Sequence, residues 1–155
     1  MRPEKNARLY GKMQMTPEQQ GEELAEAFEM FDSWEDRYRF LIDMGKSMEP
    51  LFDLEKTDRN RVTGCQSNVW LVPEVENKGA EKTLRFRADS DSTIVRGLIA
   101  LLHTIYNDQT PRAILEFDID SLMQRLGLDQ HLSMGRRNGM AGMVARIKSL
   151  AAQNA

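Results

Sequence analysis

The chain has 155 residues, of which 21 are basic and 24 are acidic, so its formal net charge is -3. This length matches one domain that buries about 70% of its unfolded surface. The charge balance gives no sustained attraction for nucleic acid or anionic lipid, and no run approaches the ~18 apolar residues of a membrane span. We therefore expect neither nucleic acid nor a membrane as a partner.

The beginning of the chain predicts an extension followed by two helices. Residues 1–15 lack the apolar segment of a secretory signal, and we predict that they form a disordered extension before one domain over residues 16–155. Thr16 and Gln19 have the spacing of a capping box, which predicts that the first helix begins there. Ser33 is placed to cap a second helix, so the two helices form a hairpin.

Two segments with strand character follow a polar loop. Residues 68–75 are rich in β-branched and aromatic side chains, and residues 82–88 alternate strictly between apolar and polar. Turn-forming residues at 77–80 predict that they pair as an antiparallel hairpin. Residues 61–63 add a short third strand on the other side of Cys65, so we predict a small antiparallel sheet of about three strands.

The rest of the chain has helical patterns. A broad apolar stripe over residues 94–105 predicts a buried helix, and Thr110-Pro111 opens a short one. Gly127 is placed to end another helix, and the last helix covers about residues 136–152. We assign the methionines in this helix and just before it to the core: Met134, Met140 and Met143. The order of elements predicts an α+β fold in which the sheet packs against helices.

Cys65 is the only cysteine, and it lies in a turn of small and polar residues, namely Gly64, Gln66 and Ser67. One cysteine excludes an internal disulfide and is typical of the reducing cytoplasm. Free cysteine is usually a small buried hydrophobe, but these polar neighbours favour a thiol displayed on a loop. Only the thiolate is nucleophilic, so backbone N–H groups or a nearby cation would have to lower its pKa.

The two histidines differ in their surroundings. His103 lies in an apolar helix, where a structural role is favoured, whereas His131 lies in a polar loop, where structural and functional roles both stay open. Cys65 and His131 would serve as nucleophile and base in a cysteine hydrolase, which is the alternative function. The spacing of the histidines from Cys65 matches no zinc pattern, so we predict no metal site.

Charged residues flank two of the predicted helices. Asp89 and Asp91 would form a carboxylate pair, but capping of the following helix explains at least one of them more simply. Arg136 and Arg137 lie at the start of the last helix, where the helix dipole disfavours positive charge. This placement hints at a use, but a solvated face is the favoured interpretation.

Four motifs in a consistent order over about residues 20–150 resemble the SufE family of sulfur-acceptor proteins, which includes CsdE. The motifs are Gly64-Cys65-Gln66-Ser67 with Val69-Trp70, then Ala88-Asp89-Ser90-Asp91 with Ile94-Val95-Arg96-Gly97-Leu98, then Thr110-Pro111, and last Gln130-His131-Leu132-Ser133 with Arg136, Asn138 and Gly139. The chain departs from the family pattern at Met134-Gly135, which stands where a proline and a small polar residue are common.

The resemblance implies an α+β sandwich similar to the IscU scaffold and a non-enzymatic cytoplasmic role. In that role Cys65 takes sulfane sulfur from a pyridoxal-phosphate cysteine desulfurase of the SufS or CsdA kind, stimulates it, and passes the sulfur to an iron–sulfur scaffold such as SufBCD. The resemblance links Asp91 and Arg136 to the desulfurase interaction or the active loop, with Gly64, Gln66, Ser67 and His131 in support. No cofactor on this chain is required, and a homodimer stays open.

Two further expectations concern the thiol itself. An iron–sulfur scaffold is disfavoured, because cluster binding normally needs several thiolates and this chain has one. A bare low-pKa thiol would be oxidised readily, so we predict that Cys65 is partly buried in an apolar pocket in the free protein and swings out when the desulfurase binds.

Overall fold

The computed structural model describes residues 15–155, so the predicted extension lies, except for Met15, outside the described residues. Over this range the chain forms seven α-helices, one short 3-10 helix and one antiparallel sheet of two strands. In chain order they are α1 (Pro17–Glu29), α2 (Trp34–Lys46), the 3-10 helix (Asp53–Glu55), β1 (Val69–Lys78), β2 (Glu81–Ser90), α3 (Thr93–Tyr106), α4 (Pro111–Glu116), α5 (Ile119–Leu126), α6 (Leu128–His131) and α7 (Met134–Gln153). The predicted α+β class is confirmed.

Local capping signals set the helix starts. The Thr16 hydroxyl accepts a hydrogen bond from the Gln19 N–H at 3.1 Å, and the Gln19 carboxamide accepts one from the Thr16 N–H at 2.9 Å. This pair is the predicted capping box, and the Ser33 hydroxyl caps α2 in the same way through the Asp36 N–H. Gly127 ends α5 in the left-handed conformation at φ 76°, as predicted.

The sheet is smaller than the sequence predicts. β1 and β2 pair in one unbroken register, from Val69 opposite Ser90 to Lys78 opposite Glu81. The predicted third strand is reduced to a single antiparallel bridge, in which Arg61 lies opposite Trp70. The ladder ends there because the chain turns away into the loop that carries Cys65.

The core lies between one face of the sheet and the helices. Leu84, Phe86 and Ala88 alternate along β2 and are buried against α3, whose apolar residues are nearly all buried. A two-stranded sheet is marginal in water on its own, so this cover by helices is what makes the sheet stable. Met140 and Met143 on α7 are buried as predicted, whereas Met134 in its first turn is 69% exposed, so its assignment to the core was wrong.

Asp89 is buried at the end of β2, with 2% of its surface exposed. Its carboxylate accepts hydrogen bonds from Arg96 Nη1 at 2.7 Å and from the Leu51 N–H at 3.0 Å. Capping was therefore the wrong explanation for Asp89, and Ser92 caps α3 instead. The Arg96 guanidinium also donates to the carbonyls of Gly45 and Met48, so this ion pair joins β2 and α3 to the end of α2.

Candidate functional site

Cys65 lies at the tip of a narrow loop, residues 62–68, which we call the Cys65 loop. Its base is closed where the Val62 N–H donates to the Val69 carbonyl at 2.8 Å. Gly64 adopts φ 87°, a left-handed conformation that L side chains rarely occupy, and this turn directs the next residue back towards α7.

Asp91 holds the other side of this loop. Its carboxylate accepts hydrogen bonds from the Asn68 N–H at 3.2 Å and from Asn68 Nδ2 at 2.8 Å. Capping of α3 was therefore wrong for Asp91 too, because Ser92 takes that role. The spacing between positions 68 and 91 carries no local signal, because the contact depends on the pairing of β1 with β2.

The loop tip lies beside a pocket of about 290 Å³. Its walls come from the Cys65 loop, the start of β1, and the helices α3 and α7. The lining residues are Cys65, Gln66, Ser67, Val69, Val95, Leu98, Ser133, Gly135, Arg136, Gly139, Met140 and Met143. Its apolar side chains, such as Val69, Leu98 and Met143, are buried, whereas Gln66, Ser133 and Arg136 are exposed and form its rim.

The thiol of Cys65 is partly buried in the free chain, as predicted, whereas its swing towards a desulfurase stays a prediction. Its Sγ lies 3.7 Å from the carbonyl oxygen of Gly139 on α7, to which the thiol donates a weak hydrogen bond. Burial raises the pKa of the Cys65 thiol above its ordinary value, and the positive charge of Arg61 partly opposes that shift. The thiol is consequently protonated at neutral pH in the resting state.

Arg136 lies at the rim of the pocket, on the first turn of α7. Its backbone N–H donates to the Ser133 hydroxyl, which caps the helix, and its side chain is exposed. Within residues 15–155 its guanidinium has no hydrogen-bond or ion-pair partner. This exposed cation at the rim of the pocket is available to an incoming anionic group.

The structure places His131 apart from the pocket. Its ring stacks on Trp34 with centroids 3.8 Å apart, and its Nδ1 lies 3.0 Å from the Gly127 carbonyl oxygen. The Tyr38 hydroxyl donates to the His131 backbone carbonyl. His131 thus joins α6 to α2, and it is not one of the residues that line the pocket. The hydrolase alternative is not favoured.

His103 behaves as the structural alternative predicts. It is half-buried on α3, where its ring packs edge-on against Phe86 with centroids 5.2 Å apart. Burial lowers the pKa of its imidazole, so the ring is neutral at pH 7. This histidine contributes to the packing of α3 on β2.

Residues 15–155 contain neither a cluster of metal ligands nor a membrane-spanning helix. No group of three or more histidine, cysteine or acidic side chains in this range is arranged to hold a metal ion. No helix in the same range is long and apolar enough to cross a membrane.

The sequence patterns did not single out the close approach of α7 to the Cys65 loop. An ideal Cβ built at Gly139 would lie 3.4 Å from Cys65 Sγ, and one built at Gly142 would lie 2.8 Å from the Thr63 carbonyl oxygen. Gly135, Gly139 and Gly142 are four and three positions apart and so share one helix face. That spacing was the available signal.

The fold and the site together define a class of protein. It is a small α+β protein whose single cysteine lies at the tip of a loop and is covered by the last helix. Comparisons with known proteins agree with this class. The model of the SufE family, described as an Fe-S metabolism associated domain, matches residues 22–151. The chain therefore belongs to the SufE family, which is associated with Fe–S metabolism.

Similar proteins support the same assignment. The chain is 37% identical over 128 residues to an uncharacterised SufE-like protein of Rhizobium meliloti, a match that covers 83% of this chain and 91% of the relative. A second uncharacterised SufE-like protein, from Rhizobium etli, is 36% identical over 127 residues, or 82% of this chain and 86% of the relative.

One solved structure shares the fold. The solution structure of a hypothetical protein from Thermus thermophilus superimposes with a TM-score of 0.70 over 90% of this chain and 97% of that chain. The two sequences are 18% identical, so the likeness supports the architecture alone.

Proposed function

We propose that this chain is a sulfur acceptor and carrier for iron–sulfur cluster assembly. Cys65 receives sulfane sulfur from a cysteine desulfurase of the SufS or CsdA kind, stimulates its turnover, and passes the sulfur to a scaffold complex of the SufBCD kind. The observation that carries the proposal is the position of the only thiol, at a loop tip beside a pocket and covered by α7.

The transfer is a relative of thiol–disulfide exchange. The Cys65 thiolate attacks the terminal sulfur of the donor cysteine persulfide, and a new S–S bond forms on Cys65. The donor's own S–S bond breaks, and its electron pair leaves with the donor thiolate. Because one S–S bond replaces another, the step needs no external oxidant or reductant, and no cofactor on this chain takes part.

The resting geometry suits a carrier that is inactive until its donor arrives. Burial keeps the thiol protonated, and a protonated thiol resists the oxidation that begins at the thiolate. When the Cys65 loop swings out onto the desulfurase, the burial that raises the pKa of the thiol is removed, while Arg61, which lies just before the loop, still favours the thiolate. The thiolate then forms where the persulfide is presented.

The pocket suits the loaded state. Its volume of about 290 Å³ is several times the ~30 Å³ share of one water molecule, so an added sulfur atom fits beside Cys65. Arg136 at the rim is placed to pair with the negative charge of the persulfide or of the partner, and Asp91 sets the position of the loop through Asn68. We infer that Gly64, Gln66 and Ser67 shape the turn.

Other parts of the proposal follow from this chemistry. A single free thiol in use as a nucleophile is suited to a reducing compartment, so we propose that the protein acts in the cytoplasm. Transfer needs only one copy of the chain, and a homodimer is not part of the proposal. His131 supports the site indirectly, through the stacking that joins α6 to α2.

Desulfurase turnover tests the proposal. Alanine formation from free cysteine is measured for a SufS-like desulfurase with and without this chain, under a reductant that releases the carried sulfur. The intact chain should stimulate turnover, and Cys65→Ser should give no stimulation although its fold and melting temperature are unchanged. Equal stimulation by the wild type and Cys65→Ser would contradict the proposal.

A further inference from the structure

The Cys65 loop rests on a face of α7 that has no side chains. We call this surface, formed by Gly135, Gly139 and Gly142, the glycine face. Between this loop and α7, the main chains come closest at Gly142, where an ideal Cβ would lie 2.8 Å from the carbonyl oxygen of Thr63. Real Cβ atoms almost never come so close, so a side chain at this position requires the backbone of the loop to shift.

Contacts at the other two positions are of a different kind. At Gly139 the nearest atom is Cys65 Sγ, at an ordinary contact distance of 3.4 Å from an ideal Cβ. At Gly135 a Cβ would overlap the carboxamide of Gln66, which is the flexible end of a side chain. The glycine face therefore contacts the loop backbone at Thr63, the reactive sulfur, and the side chain that follows it.

Glycine weakens a helix relative to alanine, so three glycines on one face of α7 need a reason. Their contacts supply one, because each of the three faces a different part of the same seven-residue loop. The hydrogen bond between Cys65 Sγ and the Gly139 carbonyl is an independent sign that the loop is held against this face.

We propose that Gly142 is a positioning residue for sulfur transfer: its missing side chain lets the Cys65 loop close against α7 and so sets how often the thiol is uncovered. Gly135 contributes in the same way through Gln66. This inference rests on the proposed function for its biological meaning, but loop closure is a property of the free chain and is measured on it alone.

The rate of Cys65 alkylation by iodoacetamide tests the inference on the full chain. In Gly142→Ala, the added methyl group moves the Thr63 carbonyl and favours the open loop, so the rate should rise about tenfold, which corresponds to about 1.4 kcal/mol. Ala145→Ser is the control, because it adds one atom on an exposed position of the same helix and should leave the rate unchanged. If Gly142 were only a weak helix residue, alanine would raise the melting temperature and leave the alkylation rate unchanged, and that result would overturn the inference.

A double-mutant cycle keeps the inference testable if Gly142→Ala fails to fold. Gly135→Ala displaces only a flexible carboxamide, so its alkylation rate should rise by about threefold. In the Gln66→Ala background the same change should have no further effect, because the group it displaces is absent. An equal effect in both backgrounds would overturn the role of Gly135 and with it the glycine face.

Failure of the loop inference and failure of the proposed function give different experimental results. If Gly142→Ala alkylates faster but neither it nor the wild type receives sulfur from a desulfurase, the loop inference stands and the proposed function fails. If the wild type receives sulfur but Gly142→Ala alkylates no faster, the function stands and the inference fails.

Discussion

At the scale of residues, the site combines two properties of Cys65 that oppose each other. A nucleophilic thiol must ionise, but burial of the Cys65 side chain against Gly139 disfavours its thiolate. In the proposed mechanism, movement of the loop removes this conflict, because the burial that raises the pKa of the thiol is lost when the loop opens. Arg61 opposes the effect of burial, and it lies just before the loop, where it forms the single bridge with Trp70.

The pH dependence of Cys65 alkylation measures how burial and Arg61 together shift the pKa of the thiol. Burial disfavours the thiolate, so the midpoint for the folded chain should lie above that of an unstructured peptide with the sequence of residues 60–70. At neutral pH the folded chain should therefore react more slowly than the peptide. Arg61→Gln should raise the midpoint pH further, because it removes the positive charge that favours the thiolate. A folded chain whose midpoint lies at or below that of the peptide would contradict the raised pKa.

Asp91 is predicted to control the loop through Asn68. Asp91→Ala removes two hydrogen bonds from the loop. The free energy of loop closure should become less favourable by about 1 kcal/mol, which should raise the alkylation rate of Cys65 about fivefold. Asp43→Ala, at an exposed position on α2, is the matched control and should react as the wild type does. No change in the rate for Asp91→Ala would show that these bonds do not hold the loop.

At the scale of elements, local signals in the sequence predicted where most elements begin and end. The capping residues Thr16, Ser33 and Thr110 start α1, α2 and α4 as expected, and Gly127 ends α5. The structure has α7 begin at Met134, two positions before the predicted start, because Ser133 caps it. These successes share one cause: a cap involves residues within a few positions of each other, and the sequence displays such pairs directly.

Contacts between distant parts of the chain were not predictable in the same way. Asp89 and Asp91 both precede a helix, so capping was the simplest local explanation, but their partners come from elsewhere in the fold. Leu51 and Asp89 are 38 positions apart, and Cys65 and Gly139 are 74 positions apart. The sequence identified the thiol and its loop, whereas the cover over the thiol depends on how α7 packs and had no local signal beyond the glycine spacing.

At the scale of the whole molecule, the buried ion pair of Asp89 and Arg96 connects the sheet, the central helix α3 and the end of α2. It lies at the end of β2 from which Asp91 reaches the Cys65 loop. In the proposed mechanism the loop moves while its surroundings stay in place, and this ion pair connects those surroundings near the base of the loop.

Asp89→Ala should destabilise the protein strongly. The change leaves the partly buried Arg96 guanidinium without its carboxylate, and breaking a buried pair in this way costs about 3–5 kcal/mol. Denaturant unfolding measures the free energy of unfolding, with Asp43→Ala as the exposed control that should change little. A loss of stability for Asp89→Ala as small as that of the control would show that the pair does not hold the fold together.

The intact mass of this chain after exposure to a desulfurase tests the central claim most directly. The chain is incubated with a desulfurase and free cysteine without reductant and is then separated from the desulfurase. Its intact mass is compared with that of Cys65→Ser treated in the same way. We predict that the wild type gains the mass of one sulfur atom, that peptide mapping places it on Cys65, and that reductant removes it. A wild type that gains no sulfur while the desulfurase is shown to carry its own persulfide would contradict the account.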